Sequence, residues 1–319
     1  ILAQAYPSAT GSWTLVIIPD TQVYVDRRRP ENAPIFSKMT RWIVESKSRC
    51  DIRLVLQVGD LAQCFDDIGE WCRVRESLSV LEGQVPFVLV AGNHDLADNR
   101  ASMMNQFFLP ASSPAASGDF MLGGLFESGK IDNAYYLFRS GSEEFLILAL
   151  EYGPRDQVLQ WADQVVSAHP RRTVILLTHA YLGADGLRTD NAVRRNGLNP
   201  HYNERVAKLP GGVNDGEQIW QKLVKKHANF EFVFSGHYMG EGSGYLASVG
   251  DHGNVVHQIF TNFQMLERGG NGFLRIVEFD GETVRVKTYS PFLDQFKTGS
   301  LNEFSFARTP NRVPHQTQP

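Results

Sequence analysis

The chain has 319 residues, a formal net charge of -4 at pH 7 and 42% hydrophobic residues. A charge so close to balance argues against an extended nucleic-acid-binding face, and the apolar content is typical of globular rather than disordered proteins. No stretch of about 18 apolar residues is present, so the sequence predicts no transmembrane segment.

The first two thirds of the chain alternate short apolar runs with amphipathic patterns. Strands are predicted over 13–19, 53–58, 86–91, 145–150, 173–178 and 230–235, and helices over 35–48, 69–81, 156–168 and 216–227. Strands of nearly continuous apolar character are typical of a parallel sheet that is buried on both faces. The alternation therefore predicts a layered α/β fold with functional loops at the carboxyl ends of the strands.

After His237 the pattern changes to strand-like runs over 244–249, 255–260, 273–279 and 283–289, with no helix between them. We expect these runs to form an antiparallel sheet that faces the first sheet, with a hairpin turn at Asp280-Gly281.

Segments 110–129 and 183–216 are rich in small and polar residues and are predicted surface excursions, either functional lids or mobile loops. The final stretch, 309–319, is predicted to be a disordered tail. A single domain over 13–308 is then expected to follow an N-terminal extension over 1–12.

The beginning of the chain resembles the end of a processed secretory signal. The chain opens at Ile1 rather than Met and continues with Ala-Gln-Ala at 3–5, a small-residue pattern found at signal cleavage sites. We therefore expect an exported protein, periplasmic or extracellular, although a chain shortened at this point would look the same.

The three cysteines, Cys50, Cys64 and Cys72, show no metal-finger spacing. Free thiols are favoured over a Cys64 to Cys72 disulfide, because free cysteine behaves as a small hydrophobic residue.

Five short polar blocks each follow a predicted strand: Pro19-Asp20-Thr21-Gln22, Gly59-Asp60, Gly92-Asn93-His94-Asp95, Thr178-His179 and Gly236-His237. Taken singly, an Asp after a strand is more often a helix cap, and a Gly-Asn-His sequence is more often just a turn. Five such endings in one chain supply the carboxylate, amide and imidazole donors that divalent metals bind. The pattern therefore predicts a dinuclear site that activates water against a phosphorus centre.

These blocks resemble the motifs of the calcineurin-like metallophosphoesterase superfamily, and the resemblance extends over about residues 15–289. The family pattern runs Asp-x-His, Gly-Asp-x-x-Asp, Gly-Asn-His-Asp/Glu, a strand-end His and Gly-His-x-His. The resemblance implies an α/β fold, a four-layer α/β/β/α sandwich with two mixed β-sheets and a metal site at the carboxyl ends of the strands. It also implies two divalent metal ions (manganese, iron, zinc or similar).

Position by position, the resemblance assigns a role to the residues of each block. The positions matched to metal ligands are Asp20, Gln22, Asp60, Asn93, His179 and His237. Asp60 is expected to bridge both ions and to take part in catalysis. His94 is expected to be the catalytic acid or the group that stabilises the charged phosphoryl oxygen.

Three positions depart from the family pattern. Gln22 and Met239 stand where the family usually has His, and Gln63 replaces the second Asp of Gly-Asp-x-x-Asp. An amide oxygen is a weaker donor than imidazole, and a thioether is a poor ligand for hard cations. The chain resembles a branch of the superfamily that begins with Pro-Asp-Thr-Gln. We expect strong metal occupancy at the Asn93 site and a weaker, exchangeable metal at the Asp20 site. Candidates for the missing donor are water, Tyr238, Glu241, Asn262 and Gln264.

Other charged residues leave two interpretations open. The run Arg27-Arg28-Arg29 and the pair Arg194-Arg195 are more often solvated surface than groups that steer an anionic substrate. Glu151, which follows a predicted strand, either braces the site or belongs to a helix start. The substrate-binding residues therefore stay unassigned at this stage.

The sequence predicts metal-dependent hydrolysis of a small-molecule or head-group phosphoric ester. A phosphodiester is slightly favoured over a phosphomonoester, because a depleted second site neutralises a dianion less well. The alternative is a non-catalytic metal-binding or scaffold protein with a degraded site, which Gln22, Gln63 and Met239 favour. The absence of Gly-x-Gly-x-x-Gly after the first strand and of Gly-x-Ser-x-Gly argues against a dinucleotide-binding oxidoreductase and a serine hydrolase.

Overall fold

A computed structural model of the protein describes residues 11–108, 118–193 and 197–308. The predicted tail, the Arg194-Arg195 pair and most of the predicted N-terminal extension lie outside these residues, as does part of the first predicted excursion. The single-domain boundary at 13–308 stays a prediction.

In chain order the elements are β1 (Trp13–Ile18), α1 (Gln22–Val25), α2 (Ala33–Cys50), β2 (Ile52–Gln57), α3 (Ile68–Ser79), β3 (Phe87–Leu89), α4 (Met104–Phe107), β4 (Phe120–Leu125), β5 (Ala134–Ser140), β6 (Glu143–Leu150), α5 (Asp156–Ala168), β7 (Thr173–Thr178), α6 (Gly216–Lys222), β8 (Phe230–Ser235), β9 (Ser243–Val249), β10 (Val255–Thr261), α7 (Glu267–Gly270), β11 (Leu274–Asp280), β12 (Thr283–Ser290), β13 (Gln295–Lys297) and β14 (Glu303–Ala307). Every predicted strand and helix is present, with ends shifted by a few residues. The predicted helix 216–227 is the largest shift, since it ends at Lys222 and a separate 3-10 turn follows it.

The strands form two seven-stranded mixed sheets, as the resemblance implies. The first sheet has the order β13-β12-β11-β1-β2-β3, with β14 also paired to β12. The second has the order β4-β5-β6-β7-β8-β10-β9. Neighbouring strands β1, β2 and β3 are parallel in the first sheet, and β6, β7, β8 and β10 are parallel in the second. Each sheet therefore has a set of carboxyl strand ends along one edge.

The four strands after His237 do not form a sheet of their own, and that prediction is wrong. The hairpin of β11 and β12 pairs antiparallel with β1, whereas β9 and β10 extend the second sheet beside β8. Without these partners β1 and β8 would be apolar edge strands, which are prone to aggregate. The predicted hairpin turn is confirmed, because Asp280 pairs with Thr283 and Gly281 has a φ of 58°.

Alternating residues of the strands divide the core into inner and outer layers. Trp13, Leu15 and Ile17 of β1 point between the two sheets, and the Trp13 ring stacks on Phe279 with centroids 4.1 Å apart. The opposite faces of the strands pack against helices: α2 contacts β1 and β2 of the first sheet and α3 packs on α2, whereas α5 contacts β6 of the second sheet. The result is the α/β/β/α sandwich, with both sheets held rigidly by buried side chains.

One strand lies inside the first predicted excursion. β4 contains Gly123 and Gly124, which lower its strand propensity, so the sequence pattern did not indicate a strand here. A Cβ at Gly123 would lie 2.1 Å from the ring of Tyr135 on β5, so the small residue allows the close packing of this pair.

Cys50, Cys64 and Cys72 form no disulfide bond within the described part of the chain. Among the described helices, none has the length and apolar character needed to cross a membrane.

Candidate metal centre

The polar blocks meet where the carboxyl ends of parallel strands from both sheets face each other. Asp20 follows β1, Asp60 follows β2, His179 follows β7 and His237 follows β8. All four side chains are at most 5% exposed. Four titratable groups so deeply buried at one place need partners or a bound cation to compensate the cost of leaving water.

Three of these side chains form a compact group. The ligand atoms of Asp60, His179 and His237 all lie within 4.8 Å of one another. His179 Nε2 is 3.2 Å from Asp60 Oδ1, 3.2 Å from Asn93 Oδ1 and 3.2 Å from His237 Nδ1. One carboxylate, one amide oxygen and two imidazole nitrogens therefore point at the same small volume.

The far nitrogen of each imidazole is already committed to a backbone carbonyl. His179 Nδ1 is 2.7 Å from the oxygen of Val58, and His237 Nε2 is 2.6 Å from the oxygen of Leu198. A carbonyl accepts only, so these contacts place a proton on the outer nitrogen of both rings. The inner nitrogens, His179 Nε2 and His237 Nδ1, remain as the atoms available for a metal, an arrangement usual in metal sites.

Asp20 and Gln22, from the block that follows β1, lie beside this group. The Asp20 carboxylate accepts from the backbone N–H of His237 at 3.2 Å and from Asn262 Nδ2 at 3.0 Å. Gln22 Nε2 donates to Asp60 Oδ2 at 3.0 Å and to Gln264 Oε1 at 2.6 Å. Gln22 Oε1 is buried and has no hydrogen-bond partner among the described residues. This amide oxygen could donate a lone pair to a metal ion, and it belongs to a side chain that is hydrogen-bonded to the Asp60 carboxylate.

The backbone passes close to the ligands at two glycines. A Cβ at Gly92 would lie 2.1 Å from Asp60 Oδ1, and one at Gly236 would lie 2.2 Å from Asp20 Oδ1. Asp60 and His237 themselves have φ values of 52° and 74°, which are unusual for residues other than glycine. Strained backbone of this kind is found at functional sites, and here it turns both side chains inward.

Two buried carboxylates outside the predicted set hold the loop that follows β2. Asp95 accepts from the backbone N–H groups of Leu61 and Ala62 at 3.0 and 2.9 Å. Glu70 on α3 accepts from the N–H groups of Gln63 and Cys64 at 3.0 and 2.8 Å. Both carboxylates therefore order the Asp60 loop without pointing at the three-residue group.

His94 lies at the edge of the site, with its ring turned by Gln63. Its Nδ1 is 2.9 Å from the backbone carbonyl oxygen of Gln63 and 3.2 Å from the Gln63 side-chain Nε2. We assign Nδ1 as the donor in the shorter contact, because a carbonyl only accepts, and this assignment leaves Nε2 available. The backbone N–H of His94 also donates to Asp60 Oδ1 at 2.9 Å. A cleft of about 370 Å³ begins at this point, lined by Arg28, Gln63, Cys64, Phe65, Asp66, Asn93, His94, Asn203 and Arg205.

The remaining candidates take other positions. Met239 is 51% exposed and lines a separate cavity of about 270 Å³ with Tyr238, so it presents no donor to the three-residue group. The backbone carbonyl oxygen of Tyr238 accepts from Asn262 Nδ2 at 3.3 Å. Glu151 binds Arg155 Nε at 2.8 Å near the start of α5, which agrees with the helix-start interpretation. Glu241 makes no contact with the described site.

The charges of the group depend on one another. Burial raises the pKa of Asp60, but the neighbouring groups, His179 foremost, together outweigh it and hold that pKa well below its usual range. Burial lowers the pKa of His179, but Asp60 and Asp20 with the Val58 carbonyl together outweigh it and raise the pKa to about 9. Burial and the His179 charge together lower the pKa of His237 to about 3, and burial raises the pKa of Asp20. At neutral pH the group is thus an Asp60 carboxylate and a His179 imidazolium beside a neutral His237.

The residues suit a divalent metal ion. The donors are carboxylate, amide and imidazole atoms, their outer partners fix the orientation of both imidazoles, and a buried Gln22 oxygen lacks a partner. In the absence of metal, the proton on His179 Nε2 balances the negative charge of Asp60. A bound cation would balance the same carboxylate charge in its place. We therefore regard these residues as a candidate metal centre.

A profile of the calcineurin-like phosphoesterase family matches residues 14–241. The chain is also 29% identical over 323 aligned residues to the uncharacterized protein YvnB of Bacillus subtilis (strain 168). That alignment covers 96% of this chain and 22% of the relative, so the chain spans about a fifth of the relative's length.

Two solved structures share the fold at low identity. One is the purple acid phosphatase PPD1 from yellow lupin (Lupinus luteus) seeds, with a TM-score of 0.53, 14% identity and coverage of 96% of this chain and 55% of that chain. The other is GAP50 of Plasmodium, described as the anchor in the inner membrane complex, with a TM-score of 0.51, 10% identity and coverage of 94% and 90%. At these identities the likeness concerns the fold alone.

Metal binding is expected to release a proton from His179. The metal needs an unprotonated Nε2, whereas that nitrogen holds a proton at pH 7 because its pKa lies near 9. Titration calorimetry of metal-stripped protein at pH 7, in two buffers with different heats of ionisation, should show about one proton released per metal bound at this site. The release should disappear when the pH rises above the pKa of His179.

The exposed His252 serves as the control, since His252→Ala should leave the proton count unchanged. Tight binding with no proton release at pH 7 would contradict the Asp60–His179 charge pair.

Proposed function

Because the chain belongs to the calcineurin-like phosphoesterase family, we propose that it is a metal-dependent hydrolase of phosphoric esters. The observation that carries the proposal is the convergence of Asp60, Asn93, His179 and His237, of which Asn93 also lines a cleft of about 370 Å³. A cleft of this size lies within the range of small-ligand sites, roughly 300–1,000 Å³. A phosphoester seated there has its phosphorus centre beside the candidate metal ligands.

We assign Asp60, Asn93, His179 and His237 to one metal site. Asp20 and the unpartnered Gln22 Oε1 are assigned to a second, weaker site, with Asp60 between the two. When bound, divalent ions would supply positive charge that stabilises the phosphoryl oxygens. They would also lower the pKa of water, so that it loses a proton near neutral pH and becomes nucleophilic enough to attack phosphorus.

Residues outside the first set keep these ligands in place. Asn262 donates to Asp20, and its own Oδ1 accepts from the backbone N–H of Gln264 at 3.0 Å, which fixes the amide. Gln264 in turn receives a hydrogen bond from Gln22 Nε2. We assign Asn262 and Gln264 to orienting the Asp20 carboxylate and the Gln22 amide through these hydrogen bonds, rather than to the place of the missing imidazole.

His94 is assigned the proton transfer at the leaving group. The imidazolium form of His94 carries a proton on each ring nitrogen. With Nδ1–H donated to the Gln63 carbonyl, Nε2–H is the proton that this form gives to the departing alkoxide, which leaves a neutral imidazole, or donates as a hydrogen bond to a phosphoryl oxygen. The ring borders the cleft, where the leaving group of a bound ester has room. Gln63, which replaces the second Asp of the family motif, thus acquires a role through its backbone oxygen.

A phosphodiester remains our favoured substrate class over a phosphomonoester. The second site has an amide in place of an imidazole at Gln22 and a solvent-exposed Met239, so it offers less compensation for a dianion. The alternative is a metal-binding or scaffold protein without turnover. It would use the same metal ligands, so only a turnover assay with added metal distinguishes it from an enzyme.

Metal-stripped protein should gain turnover of an activated aryl phosphodiester when manganese, zinc, iron(II) or magnesium is added. Asn93→Ala should lower kcat/KM by about 100-fold, because a lost ligand weakens the metal site. The exposed Gln160→Ala on α5 is the matched amide control and should keep full activity. Absence of turnover with every metal, on both the diester and the matching monoester, would favour the non-catalytic alternative.

His94→Ala should lower kcat more for esters with poor leaving groups than for those with good ones. Loss of a general acid costs about 10² to 10⁴ in rate where the leaving group needs its proton. The measurement is kcat over a series of aryl esters of increasing leaving-group pKa, with His252→Ala as control. An equal loss across the series would remove His94 from the acid role.

A further inference from the structure

The cleft beside the candidate metal centre combines site residues with two arginines. Its lining includes Asn93 and His94 as well as Arg28 and Arg205. Asp66 is the one carboxylate among the described lining residues. The lining side chains therefore carry two guanidinium charges against one carboxylate, beside the candidate metal ligand Asn93.

Arg28 is held in one orientation by a buried carboxylate. Asp26, whose side chain is 5% exposed, accepts from Arg28 Nε and Nη2, each at 2.9 Å. This two-point pairing leaves Nη1 without a hydrogen bond among the described residues, while the Arg28 side chain stays 67% exposed. A guanidinium fixed on one edge presents its other edge to an incoming anion.

The neighbouring arginine of the same run behaves differently. Arg27 is 69% exposed and lies 3.5 Å from Asp67, outside the cleft lining. Of the run Arg27-Arg28-Arg29, only Arg28 lines the cleft, so a general surface role for the run does not explain its position.

Arg205 reaches the cleft from the second predicted excursion, 183–216. Its Cζ lies over the ring of Phe65 at 5.3 Å from the centroid, and its nearest carboxylate atom, on Asp98, is 3.6 Å away. Asp98 is 86% exposed, and a contact of that length is weak. The Arg205 guanidinium is thus oriented by an aromatic ring while most of its charge is uncompensated.

We propose that the preferred ester carries a second anionic group, a phosphate or a carboxylate, on the part that lies in this cleft, and that Arg28 and Arg205 bind it. This inference rests on the proposed function, because it assumes that the phosphorus centre sits at the candidate metal ligands. The two arginines then determine specificity for the group that accompanies the reacting phosphorus.

Binding of phosphonates tests the inference without turnover. Manganese-loaded protein is titrated calorimetrically, at low ionic strength, with phenylphosphonates that bear a para carboxylate, a para carboxamide or a para phosphonate. The carboxylate should bind about five- to tenfold more tightly than the neutral carboxamide, as expected for two exposed charge contacts. The preference should fall as salt is added.

The double variant Arg28→Gln/Arg205→Gln should reduce that preference to less than about twofold, because the exposed contacts are lost. Arg139→Gln, an arginine 53% exposed on β5 and outside the cleft, should keep it. Tighter binding of the para phosphonate than of the carboxylate would identify phosphate as the second group, and the reverse order would identify carboxylate; either order supports the inference.

Equal affinity for the carboxylate and the carboxamide in the unmodified protein would overturn the inference, as would a preference that survives the double variant. Failure of every phosphonate to bind, including the carboxamide, would overturn the inference, and it would overturn the proposed function as well if the diester and monoester assays also show no turnover. The carboxamide and the turnover assay together therefore separate the two failures.

Discussion

The charge of Asp60 is the constraint around which the rest of the site is arranged. Its carboxylate is buried at the end of β2, where an isolated charge would be costly. His179 from the other sheet, Gln22 from the first block and the backbone of His94 all point at its two oxygens. A change in position of either sheet would separate these partners, so the sandwich and the site depend on each other.

Strand ends and ligand types were predictable from the sequence because both have local signals. Apolar runs followed by Gly59-Asp60 or Gly92-Asn93 identify a strand and its functional loop together. Pairing between distant strands has no such signal, which is why the strands after His237 were predicted as one sheet although they divide between two. β4 was missed because its two glycines resemble loop residues. The structure explains them, since a side chain at either position would collide with the Tyr135 ring on the neighbouring strand.

The same limit applies to residues that support the site. Asn262 and Gln264 were candidates without a ranking, and only the fold shows that they hold Asp20 and Gln22. The Leu198 carbonyl, which fixes the His237 ring, belongs to a segment whose composition predicted only a surface excursion. Arg28 was part of a charged run, and only the fold shows that it lines the same cleft as Arg205 from the second predicted excursion. Contacts between residues far apart in sequence leave no pattern in a single chain.

Diffraction from crystals soaked in manganese, with anomalous scattering recorded to locate the ion, would show whether these strand ends hold metal. We expect a strong peak bound by Asp60, Asn93, His179 Nε2 and His237 Nδ1, and a weaker peak beside Asp20 and Gln22. The absence of any peak among the first four residues would rule out a metal centre there, and equal full peaks at both positions would rule out a weaker second site.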